Sequence, residues 1–226
     1  MKGLLVLEGL DGSGKSTQFD RLLQRLHLEG HTSKGISFPD YEEESSSLVR
    51  MYLNGEFGAD ADSVNAYAAS SFYAVDRYAS YKKHWQADYE AGTLIVAARY
   101  VTSNAIYQMA KLQKERWEEY LSWLFDYEYN RLQLPKPDCV LFLDMPPQVS
   151  QRLLSKRYGG DESRRDLHER DEAYLLRCRE AALFAADLLG WAVIPCARQG
   201  QPLPVETIHE AIYQVFRDQF ELRESN

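Results

Sequence analysis

The chain has 226 residues, of which 45% are hydrophobic and 27% charged, and its formal net charge is −8. This length and composition are typical of one globular domain with a sizeable core, and the acidic balance argues against nucleic acid or a membrane surface as a partner. There is no run of about 18 apolar residues, and the three cysteines show no paired spacing, so we expect a cytoplasmic protein with reduced thiols.

Short apolar runs alternate with segments of helical periodicity along the chain. The sequence predicts, in chain order, a strand at 4–7, a helix at 15–29, a strand at 34–38, a helix at 63–91, a strand at 94–97, helices at 102–112 and 115–131, a strand at 139–143, a helix at 146–156, a charged loop at 157–165, a helix at 166–189, a strand at 191–195 and a helix at 204–220. This order predicts a single α/β domain over residues 1–226, with a parallel sheet flanked by helices in three layers.

The first strand and the first helix are joined by a glycine-rich loop that fits the pattern G-x-x-x-x-G-K-[ST] at every fixed position. In such a loop, backbone N–H groups and the positive end of the helix hold phosphate oxygens. Lys15 is expected to reach the β- and γ-phosphates, and Ser16 to bind Mg²⁺. A tight turn without a ligand is the alternative. The residues predicted to bind the nucleotide are Gly9, Leu10, Asp11, Gly12, Ser13, Gly14, Lys15, Ser16 and Thr17.

Further motifs follow this loop in a fixed order, over nearly the full chain from Leu4. They are residues 8–17 (EGLDGSGKST), 38–39 (FP), 76–77 (DR), 99–105 (RYVTSNA), 134–138 (LPKPD) and an arginine-rich stretch at 157–179. In this order and spacing, the sequence resembles the thymidylate kinase family. The resemblance implies a P-loop NTPase fold with a short arginine-rich lid, transfer of the γ-phosphoryl group of ATP to dTMP with Mg²⁺, and a homodimer. The helix around residues 66–78 could provide the dimer contact.

Two arginines are the first candidates for binding the phosphate of the acceptor. A guanidinium can bind a phosphate through two parallel hydrogen bonds, which suits Arg77, although a lone arginine more often forms a surface salt bridge with Glu or Asp. Arg99 follows a strand, where ligands gather in open α/β sheets, and can bridge the donor and acceptor phosphates. Tyr73 lies one helical turn before Arg77, so both share a face. By resemblance, Tyr73 stacks on thymine, and core packing is the alternative.

The resemblance assigns further residues to the acceptor nucleotide. Ser103 and Asn104 would hydrogen-bond the thymine edge, and Tyr107 would block a 2′-hydroxyl. For Ser103, a helix N-terminal cap is the alternative. Phe38 would form an apolar wall, and Asp11 would contact the 3′-hydroxyl of the sugar. The residues predicted to bind the acceptor are Asp11, Phe38, Tyr41, Tyr73, Arg77, Arg99, Ser103, Asn104 and Tyr107.

The charged loop at about 157–165 resembles the lid of the family. Phosphoryl transfer needs cations around the transferring group, and Arg157, Arg164 and Arg165 would supply them, together with Lys15 and Arg99. Gly159-Gly160 would be the hinge, and Asp166 and Glu169 would close the lid by resemblance. Solvated surface is the alternative for such a loop.

Two positions depart from the family pattern. Ala98 stands where the family has an aspartate that is thought to organise Mg²⁺ and its water, and Asp40 stands where many members have an arginine for the acceptor phosphate. Either Asp11 or Glu8 covers part of the missing aspartate's role, or catalysis is impaired. The alternatives to a dTMP kinase are therefore a kinase of another nucleotide or deoxynucleoside, and a nucleotide-binding regulator with reduced turnover.

Overall fold

The computed structural model describes residues 2–157 and 171–221, with the backbone alone for Lys156 and Arg157. Within these ranges, none of the helices combines the length and the apolar character that a membrane span requires.

Five parallel strands form one sheet in the order β2-β3-β1-β4-β5. The strands are β1 (Gly3–Gly9), β2 (Ser33–Ser37), β3 (Leu94–Ala98), β4 (Cys139–Asp144) and β5 (Ala192–Pro195). All five predicted strands are present, and no end is shifted by more than two residues. A short antiparallel pair, β6 (Ala197–Arg198) and β7 (Gln201–Pro202), is not predicted, because two-residue strands show no hydrophobic periodicity.

Helices connect the strands and cover the sheet. They are α1 (Lys15–Leu28), α2 (Ser47–Leu53), α3 (Ala66–Ser80), α4 (Gln86–Glu90), α5 (Thr102–Tyr107), α6 (Trp117–Phe125), α7 (Pro147–Arg157), α8 (Glu172–Leu189) and α9 (Val205–Phe216). The sequence does not predict α2, which follows a polar run without periodicity.

Several predicted helices are interrupted by turns with a different hydrogen-bond spacing. The predicted helix 63–91 is α3 and α4 joined by the π-helical turn Tyr81–Trp85. Helix α6 continues into the π-helical turn Asp126–Arg131, and α9 into Arg217–Glu221. Side-chain periodicity does not distinguish these turns from α-helix, so the sequence predicts continuous helices.

Each face of the sheet is buried under helices, which confirms the predicted three-layer fold. On one face, Leu5 and Leu7 of β1 share a core cluster with Leu22 of α1 and Ile212 of α9. On the other face, Leu4 belongs to the cluster formed with side chains from α3, α5, α6 and α8. Each fully buried leucine contributes about 2 kcal/mol through removal of apolar surface from water.

The parallel strands all end at the same edge of the sheet. Gly9 ends β1 at this edge, and Arg99 directly follows β3 beside it. In open α/β sheets, ligands bind outside the carboxyl ends of the strands. The edge at β1 and β3 therefore brings the glycine-rich loop next to the residues that follow β3.

Candidate active site

The glycine-rich loop runs from the end of β1 into the first turn of α1, as predicted. Gly12 and Gly14 have φ angles of 75° and 86°, a backbone region that other residues adopt only with strain. Gly14 directly precedes α1, and no side chain caps the N-terminus of this helix. The loop borders a space of about 430 Å³, lined by every residue from Leu10 to Thr17 and by Leu154. The loop therefore leaves room for a phosphate chain at the helix N-terminus.

Ser13 packs closely against Gly9 at the base of the loop. A Cβ atom on Gly9 would lie 2.5 Å from Ser13 Oγ, so a larger residue would force the loop to move. The Ser13 hydroxyl is buried and has no hydrogen-bond partner among the described residues. A buried polar group without a partner is uncommon, and a ligand in the loop is one way to satisfy it.

Lys15 lines the same space, and the pKa of its ammonium group is lowered. Burial and then the positive charge of Arg99 lower the pKa of Lys15 to about 8, against the opposing effect of Asp11 and Glu8. A phosphate chain in the loop adds negative charge beside the ammonium group and favours its charged form.

Asp11, Arg99 and Tyr107 form a hydrogen-bonded group beside the loop. Arg99 Nη2 donates to Asp11 Oδ1 (2.5 Å) and to the Tyr107 hydroxyl (3.1 Å), and that hydroxyl donates to Asp11 Oδ2 (3.0 Å). Burial raises the pKa of Tyr107, which keeps its hydroxyl protonated. Arg99 has a φ of 67°, a conformation that costs about 1–3 kcal/mol for a residue other than glycine. Such strain is typical of functional sites.

Glu8 and Ala98 lie on opposite faces of the sheet. Ala98 pairs with Leu7, on the face covered by α1, and Glu8 points to the other face. The Glu8 carboxylate is fully buried and accepts hydrogen bonds from the Tyr100 backbone N–H (3.1 Å) and from the hydroxyls of Thr102 (2.7 Å) and Ser103 (2.8 and 2.9 Å). Glu8 therefore does not occupy the position that a carboxylate at residue 98 would have.

These contacts also answer the question about Ser103. Helix α5 begins at Thr102 and has no side-chain cap, so the alternative that Ser103 caps this helix is wrong. Its hydroxyl donates to Glu8 instead, although Ser103 also lines the neighbouring cavity.

A cavity opens next to the group of Asp11, Arg99 and Tyr107, with about 530 Å³ of empty space when its opening to solvent is included. All nine residues predicted to bind the acceptor line it, so the fold brings together side chains from the loop, the Phe38-Pro39 segment, α3 and α5. The lining residues are Asp11, Phe38, Pro39, Tyr41, Leu53, Tyr73, Arg77, Arg99, Tyr100, Ser103, Asn104, Tyr107 and Gln108. Tyr73 packs edge-on against the buried Tyr52, with ring centroids 6.5 Å apart. Tyr73 therefore lines the cavity and packs against Tyr52, and its stacking on thymine stays a prediction.

Arg77 is held in a salt bridge inside the protein. It is 1% exposed and donates from Nε and Nη2 to the carboxylate of Glu128 (2.7 and 2.5 Å). The same carboxylate accepts a hydrogen bond from Asn104 Nδ2 (3.2 Å). Arg77 and Asn104, which is predicted to contact the base, thus share Glu128 as a partner. Arg99 belongs instead to the hydrogen-bonded group next to the phosphate loop.

Gln108 is a cavity residue that the sequence analysis missed. It is 1% exposed, and its Oε1 is buried without a hydrogen-bond partner among the described residues. Its position four residues after Asn104, on the same face of a helix, was the available signal.

The two remaining predictions on acceptor binding concern Asp40 and the lid. Asp40 does not line the cavity, and its backbone N–H donates to Asp76 Oδ2 (2.9 Å). In the described part of the chain, the cations that line the cavity are Arg77 and Arg99. The side chain of Arg157 and all of Arg164, Arg165, Asp166 and Glu169 lie outside the described residues, as do Gly159 and Gly160.

Comparisons with a family model, with related sequences and with solved structures each find thymidylate kinases. The family model "Thymidylate kinase" matches residues 7–212. The chain is 32% identical to a thymidylate kinase of Mycobacterium tuberculosis over 80% of this chain and 84% of the relative, and 28% identical to the human thymidylate kinase over 95% and 90%. A solved thymidylate kinase from Candida albicans shares the fold, with a TM-score of 0.68, 22% identity and coverage of 96% of this chain and 92% of that chain.

Proposed function

The chain belongs to the thymidylate kinase family, and from this premise we propose that it transfers the γ-phosphoryl group of ATP to the 5′-phosphate of dTMP, giving dTDP and ADP. The observation that carries this proposal is that Asp11 lines both the space over the phosphate loop and the cavity. A donor and an acceptor bound in these two places would have their phosphates next to each other, which is the main requirement of phosphoryl transfer.

The phosphate loop would bind the donor. Its backbone N–H groups and the N-terminus of α1 suit the β- and γ-phosphates, and Lys15 would place its charge on the transferring group. The residues present also fit Mg²⁺, because Ser16 offers a hydroxyl oxygen in the first turn of α1 and magnesium takes most of its other ligands from phosphates and water. When bound, the ion would neutralise charge on the donor phosphates.

The cavity would bind the acceptor, with its base at Asn104 and its phosphate at Arg99. Tyr73 can stack on the base, and Phe38 provides an apolar wall. Gln108, with its unpartnered Oε1, is a further candidate for a hydrogen bond to the nucleoside. In this proposal Arg77 contacts the base rather than the phosphate that the sequence analysis expected, because it shares Glu128 with Asn104.

The side chains near the loop would act by position and charge. The acceptor phosphate is already an anion at neutral pH, so the reaction needs no general base. Arg99 would bring the two phosphates together, and Asp11 would contact the sugar 3′-hydroxyl, as the resemblance implies. The lid arginines Arg157, Arg164 and Arg165 would add positive charge around the transferring group in the transition state.

Assembly and location belong to the same proposal. Val75 and Tyr78 share a face of α3 and are 49% and 41% exposed, so this apolar face suits a homodimer contact. All three cysteines are buried and none forms a disulfide in the described part of the chain, in keeping with a reducing compartment such as the cytoplasm.

A panel of acceptors tests the proposal. With ATP and Mg²⁺, dTMP should give the highest kcat/KM, dUMP a lower one, and AMP, GMP and CMP poor turnover. A missing methyl group is worth about 1–3 kcal/mol, so dUMP should remain a measurable substrate. A preference for AMP, GMP or CMP would contradict the thymidylate assignment and leave the phosphate loop assignment intact. ATP binding without turnover of any acceptor would support the regulator alternative that Ala98 raises.

A further inference from the structure

Glu128 is a buried carboxylate behind the wall of the acceptor cavity. It lies in the π-helical turn Asp126–Arg131, is 0% exposed and is not among the residues that line the cavity. Burying a carboxylate is costly unless it is paired and hydrogen-bonded. The contacts of Glu128 therefore indicate what it does for the cavity.

Both partners of Glu128 line the cavity. Arg77 donates two hydrogen bonds to the carboxylate (2.7 and 2.5 Å), and Asn104 Nδ2 donates one to Oε1 (3.2 Å). Asn104 Nδ2 also reaches the backbone carbonyl of Ser70 (3.4 Å). Arg77 Nη1 donates to the backbone carbonyl of Tyr100 (3.3 Å), which leaves two of the five guanidinium N–H bonds for the cavity side.

These contacts fix which way the Asn104 amide faces. Its NH₂ group has two acceptors behind the wall, so its carbonyl oxygen is the group left for the cavity. Turning the amide over would place that oxygen against the Glu128 carboxylate, acceptor against acceptor. The wall thus offers one fixed acceptor, from Asn104, next to one fixed donor, from Arg77.

We propose that Glu128 is a positioning residue that makes the cavity select a pyrimidine with a 4-keto group and an N3–H, and reject one with a 4-amino group. This inference rests on the proposed function. Thymine and uracil present an acceptor (O4) and a donor (N3–H), which match Arg77 and Asn104. Cytosine presents a donor and an acceptor in the reverse order and leaves buried polar groups unpaired, a mismatch that gives strong discrimination.

The test is Glu128→Gln, which keeps the shape of the side chain and removes its charge. A glutamine amide can donate to the Asn104 oxygen, so it permits the Asn104 amide to turn over. Binding of dTMP, dUMP and dCMP is measured by calorimetry, with turnover of the same nucleotides. We expect the ratio of dTMP to dCMP affinity to fall at least tenfold, which corresponds to about 1.4 kcal/mol. The ratio of dTMP to dUMP should not change, because these bases differ in the 5-methyl group alone.

The matched control is Asp126→Asn, which removes one negative charge from the same π-helical turn. Asp126 is half-exposed, and its hydrogen-bond partners are Asn130 and Arg131 rather than Arg77 or Asn104. Both ratios should stay at their wild-type values in this variant. Each ratio compares two nucleotides on the same protein preparation, so an inactive fraction of the protein affects both measurements equally.

The inference is overturned if Glu128→Gln folds and its ratio of dTMP to dCMP affinity is unchanged. It is also overturned if the dTMP to dCMP ratio and the dTMP to dUMP ratio fall equally, which would indicate that the whole cavity has become less ordered. If Glu128→Gln does not fold, Glu128→Asp replaces it, since a carboxylate shortened by one carbon keeps its charge but cannot hold both partners. The same tenfold fall is then required. Absence of dTMP turnover in the wild type would instead contradict the proposed function.

Discussion

The lowered pKa of Lys15 predicts that ATP binding weakens as the pH rises above 8. Burial and the charge of Arg99 lower the pKa of this ammonium group to about 8 in the free protein. Bound phosphates favour the charged form and raise the pKa again. ATP therefore binds the protonated form more tightly. Its affinity is highest below pH 8 and falls as the pH rises from 8 towards the pKa of the complex.

The size of the effect follows from the fraction of charged Lys15. With a pKa of about 8, roughly 90% of the free protein carries the charge at pH 7 and roughly 10% at pH 9. The ATP affinity should thus fall about tenfold between pH 7 and pH 9, or about 1.4 kcal/mol. The phosphate groups contribute little to this change, since their second pKa is about 6.

Calorimetry checks this prediction directly. Titrations at pH 7, 8 and 9, each in two buffers with different ionisation enthalpies, give the affinity and the number of protons taken up. At pH 8, about half a proton should be taken up for each ATP bound. Lys15→Ala should remove both the pH dependence and this uptake, and should abolish phosphoryl transfer while the fold stays intact. A constant affinity from pH 7 to pH 9 in the wild type would refute the reasoning.

Three further predictions concern single positions around the reaction. Ala98→Asp should raise turnover, most at low Mg²⁺, because residue 98 lies on the α1 face of the sheet, beside the phosphate loop. If the variant is no faster than the wild type at any Mg²⁺ concentration, the chain has adapted to alanine. Replacing Arg164 and Arg165 together by alanine should lower kcat far more than ATP affinity, since both would act in the transition state, and a wild-type kcat would assign the loop to solvated surface. Tyr107→Phe removes the hydroxyl that contacts Asp11 and Arg99 but keeps the ring, so kcat should fall while discrimination against a ribonucleotide acceptor is retained.

The sequence by itself predicted most of the fold, because its signals are local. Each strand of the parallel sheet is buried on both faces and appears as a short apolar run, and each long helix has an apolar face with helical spacing. The phosphate loop was equally clear, since its glycines, Lys15 and Ser16 are fixed by the local turn from β1 into α1. The nine predicted acceptor residues came from the resemblance to the thymidylate kinase family, and the fold places all of them at one cavity.

The tertiary structure decided what these residues contact. Arg77 and Glu128 are 51 positions apart, and Glu8 lies 95 positions from Ser103, so no local pattern links either pair. Helical spacing shows which residues share a face, but it does not show which buried carboxylate another element brings to that face. Packing of α3, α5 and the turn after α6 places Arg77 and Asn104 within hydrogen-bond distance of Glu128, which balances the charge of Arg77 and fixes the direction of the Asn104 amide. Packing of α5 against β1 likewise brings the Ser103 hydroxyl to Glu8.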